Sequence, residues 1–202
     1  MGYENCKKNS KVLQNNGKDI SNVVCYNQIM LDFKTYIDFL CDLLTIDKPT
    51  ILYEQTDIFT MPKTAGMRSF PTENTILVNL SVYTNGLEYV AITHEMRHIY
   101  QYQVVTQFMT DLESKSTIRE WRNGFKNYKD STNEHYENQS LEVDANAFAW
   151  YITKILTGRE IVFNCDKRLL AKRINSISRD MPVDEVQDVY KQWCINWCID
   201  PV

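Results

Sequence analysis

The sequence has no long apolar stretch. No run in it approaches the roughly eighteen consecutive apolar residues that a membrane-spanning helix requires, and residues 1–8 lack the apolar core of a signal peptide. Both absences argue against a membrane partner. We therefore expect a protein that acts in the cytoplasm.

The chain also lacks an excess of basic charge. Its 22 Lys and Arg residues are outnumbered by 26 Asp and Glu residues, which gives a net charge of −4. Without a basic field for phosphate groups, a nucleic-acid partner is not expected. With 202 residues, 44% of them hydrophobic, the chain can bury the core of one domain. We expect a loose, polar N-terminal segment over residues 1–22 and a single domain over residues 23–202.

Cysteine is sparse, with six residues in the chain. In a reducing cytoplasm these residues are expected to be free thiols. Cys194 and Cys198 have the spacing of one helix face and could share a metal ion, but no second pair of His or Cys accompanies them. We favour the interpretation that both pack as small apolar side chains beside Trp193 and Trp197.

Histidine is scarcer still, and two of the three His residues form one motif. His94 and His98 are four residues apart, so on a helix they lie on one face about one turn apart. Glu95 directly follows the first of them. In a His-Glu-x-x-His motif two neutral imidazoles bind zinc and the Glu is the general base. Apolar spacing from Leu87 to Phe108 predicts the helix that this requires; the alternative is a helix with solvated His and Glu.

A third ligand is sought in the helix-like run from Ser140 to Trp150. There Glu142 and Asn146 share a face beside the apolar stripe, so a carboxylate at that position can point inward. Asp144 is about 200° around the helix from Glu142 and is expected to be solvated. Glu142 is therefore the predicted ligand, with Asp144 as the fallback.

Together these motifs resemble the gluzincin side of the zincin metallopeptidases. Residues 142–149 (EVDANAFA) are particularly similar to a segment of the ImmA/IrrE-type peptidases and minimal gluzincins, and residues 75–79 resemble the strand before their active-site helix. The likeness covers residues 75–156. The sequence departs from the family pattern at two places: Arg97 stands where members often have Gly, and residues 153–156 replace a Leu-Leu-Met-Pro-like ending.

The resemblance implies an α+β, zincin-like fold. Its parts are a small mixed sheet with an edge strand above the active-site helix, a backing helix, a glutamate helix and C-terminal helices. It also implies a zinc-dependent metallopeptidase, a hydrolase whose substrate is a peptide or protein. His94, His98 and Glu142 would bind the zinc cofactor, and Glu95 would be the catalytic base. Asn146 would not bind the metal itself but would hydrogen-bond to one of the two imidazoles. The alternatives are an ImmA-like regulatory peptidase that cleaves one partner, such as a repressor, and a non-catalytic interaction protein on a zincin scaffold.

Periodicity and turn residues place the remaining elements. Ile76 to Asn79 is the candidate edge strand to which a substrate peptide would add, although an ordinary core strand fits equally well. Within the polar loop 129–138, His135 and Tyr136 are candidate donors to an oxyanion. Arg97 is expected in a structural ion pair. The predicted segments are helices over 28–46, 116–128, 166–177 and 182–199, and strands over 50–54, 67–70 and 75–80.

Overall fold

A computed structural model describes residues 32–53, 66–79, 86–107, 112–129 and 132–196 of the chain. These ranges contain six α-helices and a small three-stranded mixed sheet, so the α+β class predicted from the sequence is confirmed. The expectations for residues 1–22, for the start of the first helix and for Cys198 concern residues outside the described part of the chain.

The order of elements follows the predicted order closely. Two single turns of 3-10 helix, Pro71–Glu73 and Tyr136–Asn138, lie in the connections. The helices and strands are α1 (Phe33–Leu44), β1 (Thr50–Tyr53), β2 (Met67–Phe70), β3 (Thr75–Val78), α2 (Leu87–Thr106), α3 (Lys115–Lys126), α4 (Ser140–Thr157), α5 (Lys167–Asp180) and α6 (Val183–Asn196).

Local chemistry explains where several helices begin and end. The carboxylate of Asp32 accepts hydrogen bonds from the first backbone N–H groups of α1, and Asp166 does the same for α5. Helix α4 ends at Gly158, which has the left-handed φ of 68° that favours glycine after a helix. Pro182 separates α5 from α6, as predicted.

The strand order corrects one prediction. Within the described residues the order is β1-β3-β2, with β1 parallel to β3 and β2 antiparallel to it. Strand β3 is therefore central, and the prediction that Ile76 to Asn79 forms the edge was wrong. Strands β2 and β3 form a hairpin, which leaves the other side of β3 free to pair. Strand β1 pairs there in parallel, and the periodicity of a strand does not show which strands pair with it. Among the described residues β2 is an edge strand, and it packs against α2.

Helices α2 and α4 form the centre of the molecule. Between them they bury many apolar side chains completely, and α3, α5 and α6 also pack on α4. The buried apolar set includes Ile92, Met96, Ile99, Leu141, Phe148 and Ile152. Both helices also bury polar and charged residues, which carry a free-energy cost unless they are paired. None of the described helices is long and apolar enough to cross a membrane.

Candidate metal centre

Three predicted side chains meet where α2 faces α4. The Nε2 atoms of His94 and His98 lie 3.1 Å apart. Each lies 3.4 Å from a carboxylate oxygen of Glu142, Oε2 for His94 and Oε1 for His98. Glu142 is fully buried and His98 nearly so, whereas the side chain of His94 is 17% exposed. The cluster is therefore buried at Glu142 and reaches solvent at His94.

The spacing of these donor atoms fits one metal ion. Ligand atoms about 2.0–2.2 Å from a tetrahedral zinc ion lie roughly 3.3–3.6 Å from one another. The separations of 3.1 and 3.4 Å are close to that range. Two imidazoles and one carboxylate are also donors that zinc accepts. The three residues could therefore hold a metal ion with little movement.

The electrostatics of the cluster follow from its burial. Burial alone would lower the pKa of His98, but the Glu142 carboxylate outweighs it and raises the pKa of His98 to about 9. Burial would raise the pKa of Glu142, yet the two imidazoles hold it far below its ordinary value. Without metal, the cluster therefore keeps a proton on an imidazole beside a carboxylate anion. A metal cation can take the place of that proton.

Glu95 is held by the edge strand of the sheet. Its Oε2 atom accepts a hydrogen bond of 2.8 Å from the backbone N–H of Ser69 and another of 2.6 Å from the Ser69 hydroxyl. Both hydrogen bonds go to the same carboxylate oxygen, Oε2. Ser69 was not identified from the sequence, because the contact joins residues 26 positions apart.

Two tyrosine hydroxyls lie on the far side of Glu142. Tyr128 donates to Glu142 Oε1 over 2.5 Å, and its oxygen lies 3.1 Å from the hydroxyl of Tyr136. Burial raises the pKa of Tyr136, and the nearby Glu142 carboxylate raises it further. The Tyr136 hydroxyl therefore keeps its proton. Of the two predicted oxyanion donors, Tyr136 thus lies beside the cluster. His135 is exposed, with its Nε2 3.2 Å from Glu134.

The environment of Asp144 corrects the prediction that it is solvated. Asp144 is only 1% exposed and accepts hydrogen bonds from Nε of Arg97 at 2.9 Å and Nε of Arg173 at 2.5 Å. Glu113 contacts both guanidinium groups. The prediction failed because α4 is covered by α2 on one side and by α5 on another, so its far side does not face water. The structural ion pair expected for Arg97 is confirmed.

The predicted bond from Asn146 to an imidazole does not form. Asn146 is buried as expected, but its Nδ2 atom has no hydrogen-bond partner among the described residues. The partner of an imidazole is instead Gln101, whose Oε1 lies 2.9 Å from Nδ1 of His98. Gln101 is three positions after His98 on the same helix, and this spacing was the one signal in the sequence that could have identified it.

Comparisons of this chain with protein-family models, with curated proteins and with solved structures found no match. A function for the chain therefore has to be inferred from the geometry of the metal centre.

Proposed function

We propose that the protein is a zinc-dependent metallopeptidase with a zincin-like arrangement, in which His94, His98 and Glu142 hold the metal. The observation that carries the proposal is the convergence of these three donors at 3.1 to 3.4 Å around one point. Three protein ligands leave one position of a tetrahedral ion for water, which is the form of a catalytic zinc site.

Glu95, which directly follows the first imidazole ligand, favours zinc over iron as the metal. Two His and one carboxylate also bind iron(II) in oxygenases, so the donor set alone does not select the metal. Hydrolysis, unlike oxygen chemistry, needs a general base beside the ligands, and Glu95 is in that place. Its fixed position against β2 supports a hydrolytic role.

Zinc in such a site supplies Lewis acidity, which makes water a nucleophile near neutral pH and polarises a carbonyl group. Glu95 then acts through its carboxylate. Ser69 holds Oε2, so Oε1 is available to accept a proton from the attacking water and to pass it to the amine that leaves. A carboxylate that is fixed before the reaction need not lose motional freedom during it.

The edge of β2 offers a place for a peptide substrate. The N–H of Ser69 points away from β3, toward Glu95, and residues two apart on a strand point their backbone groups the same way. The backbone of Met67 and the carbonyl of Ser69 thus face the side of β2 on which none of the described strands lies. An extended peptide could pair there as an added strand.

The tyrosine pair supports the same reaction. The single hydrogen of Tyr128 goes to Glu142 over the shorter contact, so the hydrogen in the 3.1 Å contact belongs to Tyr136, which can turn it toward another acceptor beside the cluster. We assign to Tyr136 the stabilisation of the oxyanion that develops on the peptide carbonyl. Tyr128 holds Glu142 in place.

Metal analysis of the purified protein, together with a peptide hydrolysis assay, tests the proposal. About one zinc per chain should be present, and a His94→Ala and His98→Ala double variant should lose it. Glu95→Gln should retain zinc and lose hydrolysis, because an amide cannot accept the proton. Zinc content unchanged in the double variant would refute the metal site. Hydrolysis that persists in zinc-loaded Glu95→Gln would refute the role of Glu95.

A further inference from the structure

Behind His98 runs a buried chain of polar groups that the proposed reaction does not use. Nδ1 of His98 lies 2.9 Å from Oε1 of Gln101. Nε2 of Gln101 donates to Oδ2 of Asp144 over 2.6 Å and to the backbone carbonyl of Leu141 over 3.0 Å. Gln101 is completely buried, so these partners replace water as its hydrogen-bonding environment.

The partners of Gln101 determine which way its amide points. A carboxylate and a carbonyl oxygen accept hydrogen bonds and do not donate them, so the end of Gln101 that faces them must be its NH2 group. Its carbonyl oxygen is then the atom that faces His98. Because that oxygen only accepts, Nδ1 of His98 must carry the hydrogen. The lone pair of a neutral His98 is therefore on Nε2, which faces His94 and Glu142.

The far end of the chain is fixed by ion pairs. Arg97 and Arg173 donate to Asp144 from two different helices, α2 and α5. A carboxylate between two guanidinium groups stays ionised and stays in place, and burial excludes water that would compete for it. Gln101 therefore has little freedom to rotate, and neither does the imidazole that it holds.

We propose that Gln101 is a positioning residue for the metal centre, which selects the tautomer of His98 and aims its Nε2 atom at the metal. The inference rests on the proposed metal site. A metal-ligating His commonly bonds through its second nitrogen to an oxygen acceptor, and loss of that acceptor costs about 10–100-fold in metal affinity. In this protein a neutral amide fills that place, and Asp144, Arg97 and Arg173 act through it.

The first test needs no substitution. Long-range proton–nitrogen NMR spectra of the zinc-loaded wild-type protein distinguish the two ring nitrogens of His98. Nδ1 should be protonated and Nε2 should coordinate zinc. Zinc coordination through Nδ1 would overturn the proposal. A wild-type protein that takes up no zinc would instead refute the metal site itself, so the two failures are distinguishable.

The second test compares two buried glutamines of α2. Gln101→Leu removes the acceptor from His98, whereas the matched control Gln103→Leu removes bonds to Asp47 and Asn74 on the side of β1 and β3. Gln101→Leu should weaken zinc affinity by about 10–100-fold and alter the visible spectrum of the Co²⁺-loaded protein. Gln103→Leu should leave both unchanged.

Folding of both variants is compared by thermal unfolding with a chelator present. Equal losses of zinc affinity in the two variants, or an unchanged Co²⁺ spectrum in Gln101→Leu, would show that Gln101 has only a structural role and would overturn the proposal. If Gln101→Leu does not fold, the NMR measurement on the wild type decides.

Discussion

Glu142 and Asp144 are buried carboxylates two positions apart on α4, yet their surroundings give them opposite chemistry. Glu142 faces two imidazoles, which can release a proton to solvent when a metal ion binds in its place. Asp144 faces two guanidinium groups, which keep their protons at any pH that the protein meets. The first carboxylate is therefore available to a cation and the second is already neutralised.

At the scale of the residue, the prediction is that Glu142→Ala severely weakens metal binding. The variant should lose more than the roughly 100-fold in zinc affinity that loss of a residue behind a ligand costs, because a ligand itself is removed. Zinc titration with a competing chelator measures this. Tyr128→Phe, which removes only the hydroxyl behind Glu142, is the control and should have a smaller effect. Equal effects of the two substitutions would contradict the assignment of Glu142 as a ligand.

Asp144 is predicted to stabilise the folded protein rather than to bind the metal. Asp144→Asn leaves Arg97 and Arg173 buried with one carboxylate, Glu113, between them. Removal of one partner from a buried charge network costs about 3–5 kcal/mol in the free energy of unfolding. Denaturant unfolding of the metal-free protein should show a loss of this size. A loss under about 0.5 kcal/mol, as at an ordinary surface position, would mean that the network does not stabilise the fold.

At the scale of the element, α3 contacts α4 through a glycine. A Cβ atom added at Gly124 would lie 2.9 Å from Cγ of Leu141, the residue that precedes Glu142. Leu141 is completely buried, and because protein interiors are close-packed it can move aside only at a cost in free energy. Gly124 thus permits the contact of α3 with α4 next to Glu142.

Gly124→Ala therefore sets two effects against each other. In a helix interior, Ala is favoured over Gly by about 0.8–1.0 kcal/mol. Overpacking of a buried contact costs about 1–3 kcal/mol. We expect the clash with Leu141 to win and the midpoint of thermal unfolding to fall. A rise in the midpoint would show that Leu141 can move aside.

At the scale of the whole molecule, the buried charge network joins α2, α4, α5 and the segment before α3. Asp144 accepts hydrogen bonds from Arg97, Arg173 and Gln101. Glu113 in turn accepts hydrogen bonds from both arginines. Burial would raise the pKa of Asp144, but the two guanidinium groups outweigh it and hold the pKa well below its ordinary value. Stability should consequently depend on pH through this residue.

The sign of that dependence is set by linkage. A carboxyl whose pKa is lower in the folded state stabilises the protein above its unfolded pKa of about 3.9, and this contribution is lost as the pH falls toward the folded pKa. Unfolding free energies of the metal-free wild type and Asp144→Asn, measured between pH 7 and pH 3, should converge as the pH falls below 4. A difference that is constant over the whole range would contradict the prediction.

The sequence alone was enough to predict that α2 and α4 bring His94, His98 and Glu142 together, and to place most of the helices. Spacing is a local property: four residues place His94 and His98 on one helix face whatever surrounds them, and apolar periodicity indicates which face of a helix is buried. The pairing of His94 and His98 with Glu142 could be predicted because both helices present these side chains beside their apolar stripes.

Only the tertiary structure decided which neighbours surround those side chains. The order of the strands, the hold of Ser69 on Glu95 and the two guanidinium groups around Asp144 all depend on contacts between residues distant in the sequence. Asp144 was expected in water because a helix pattern shows only where the apolar residues lie. It does not show that a second helix, bearing Arg173, covers the polar side as well.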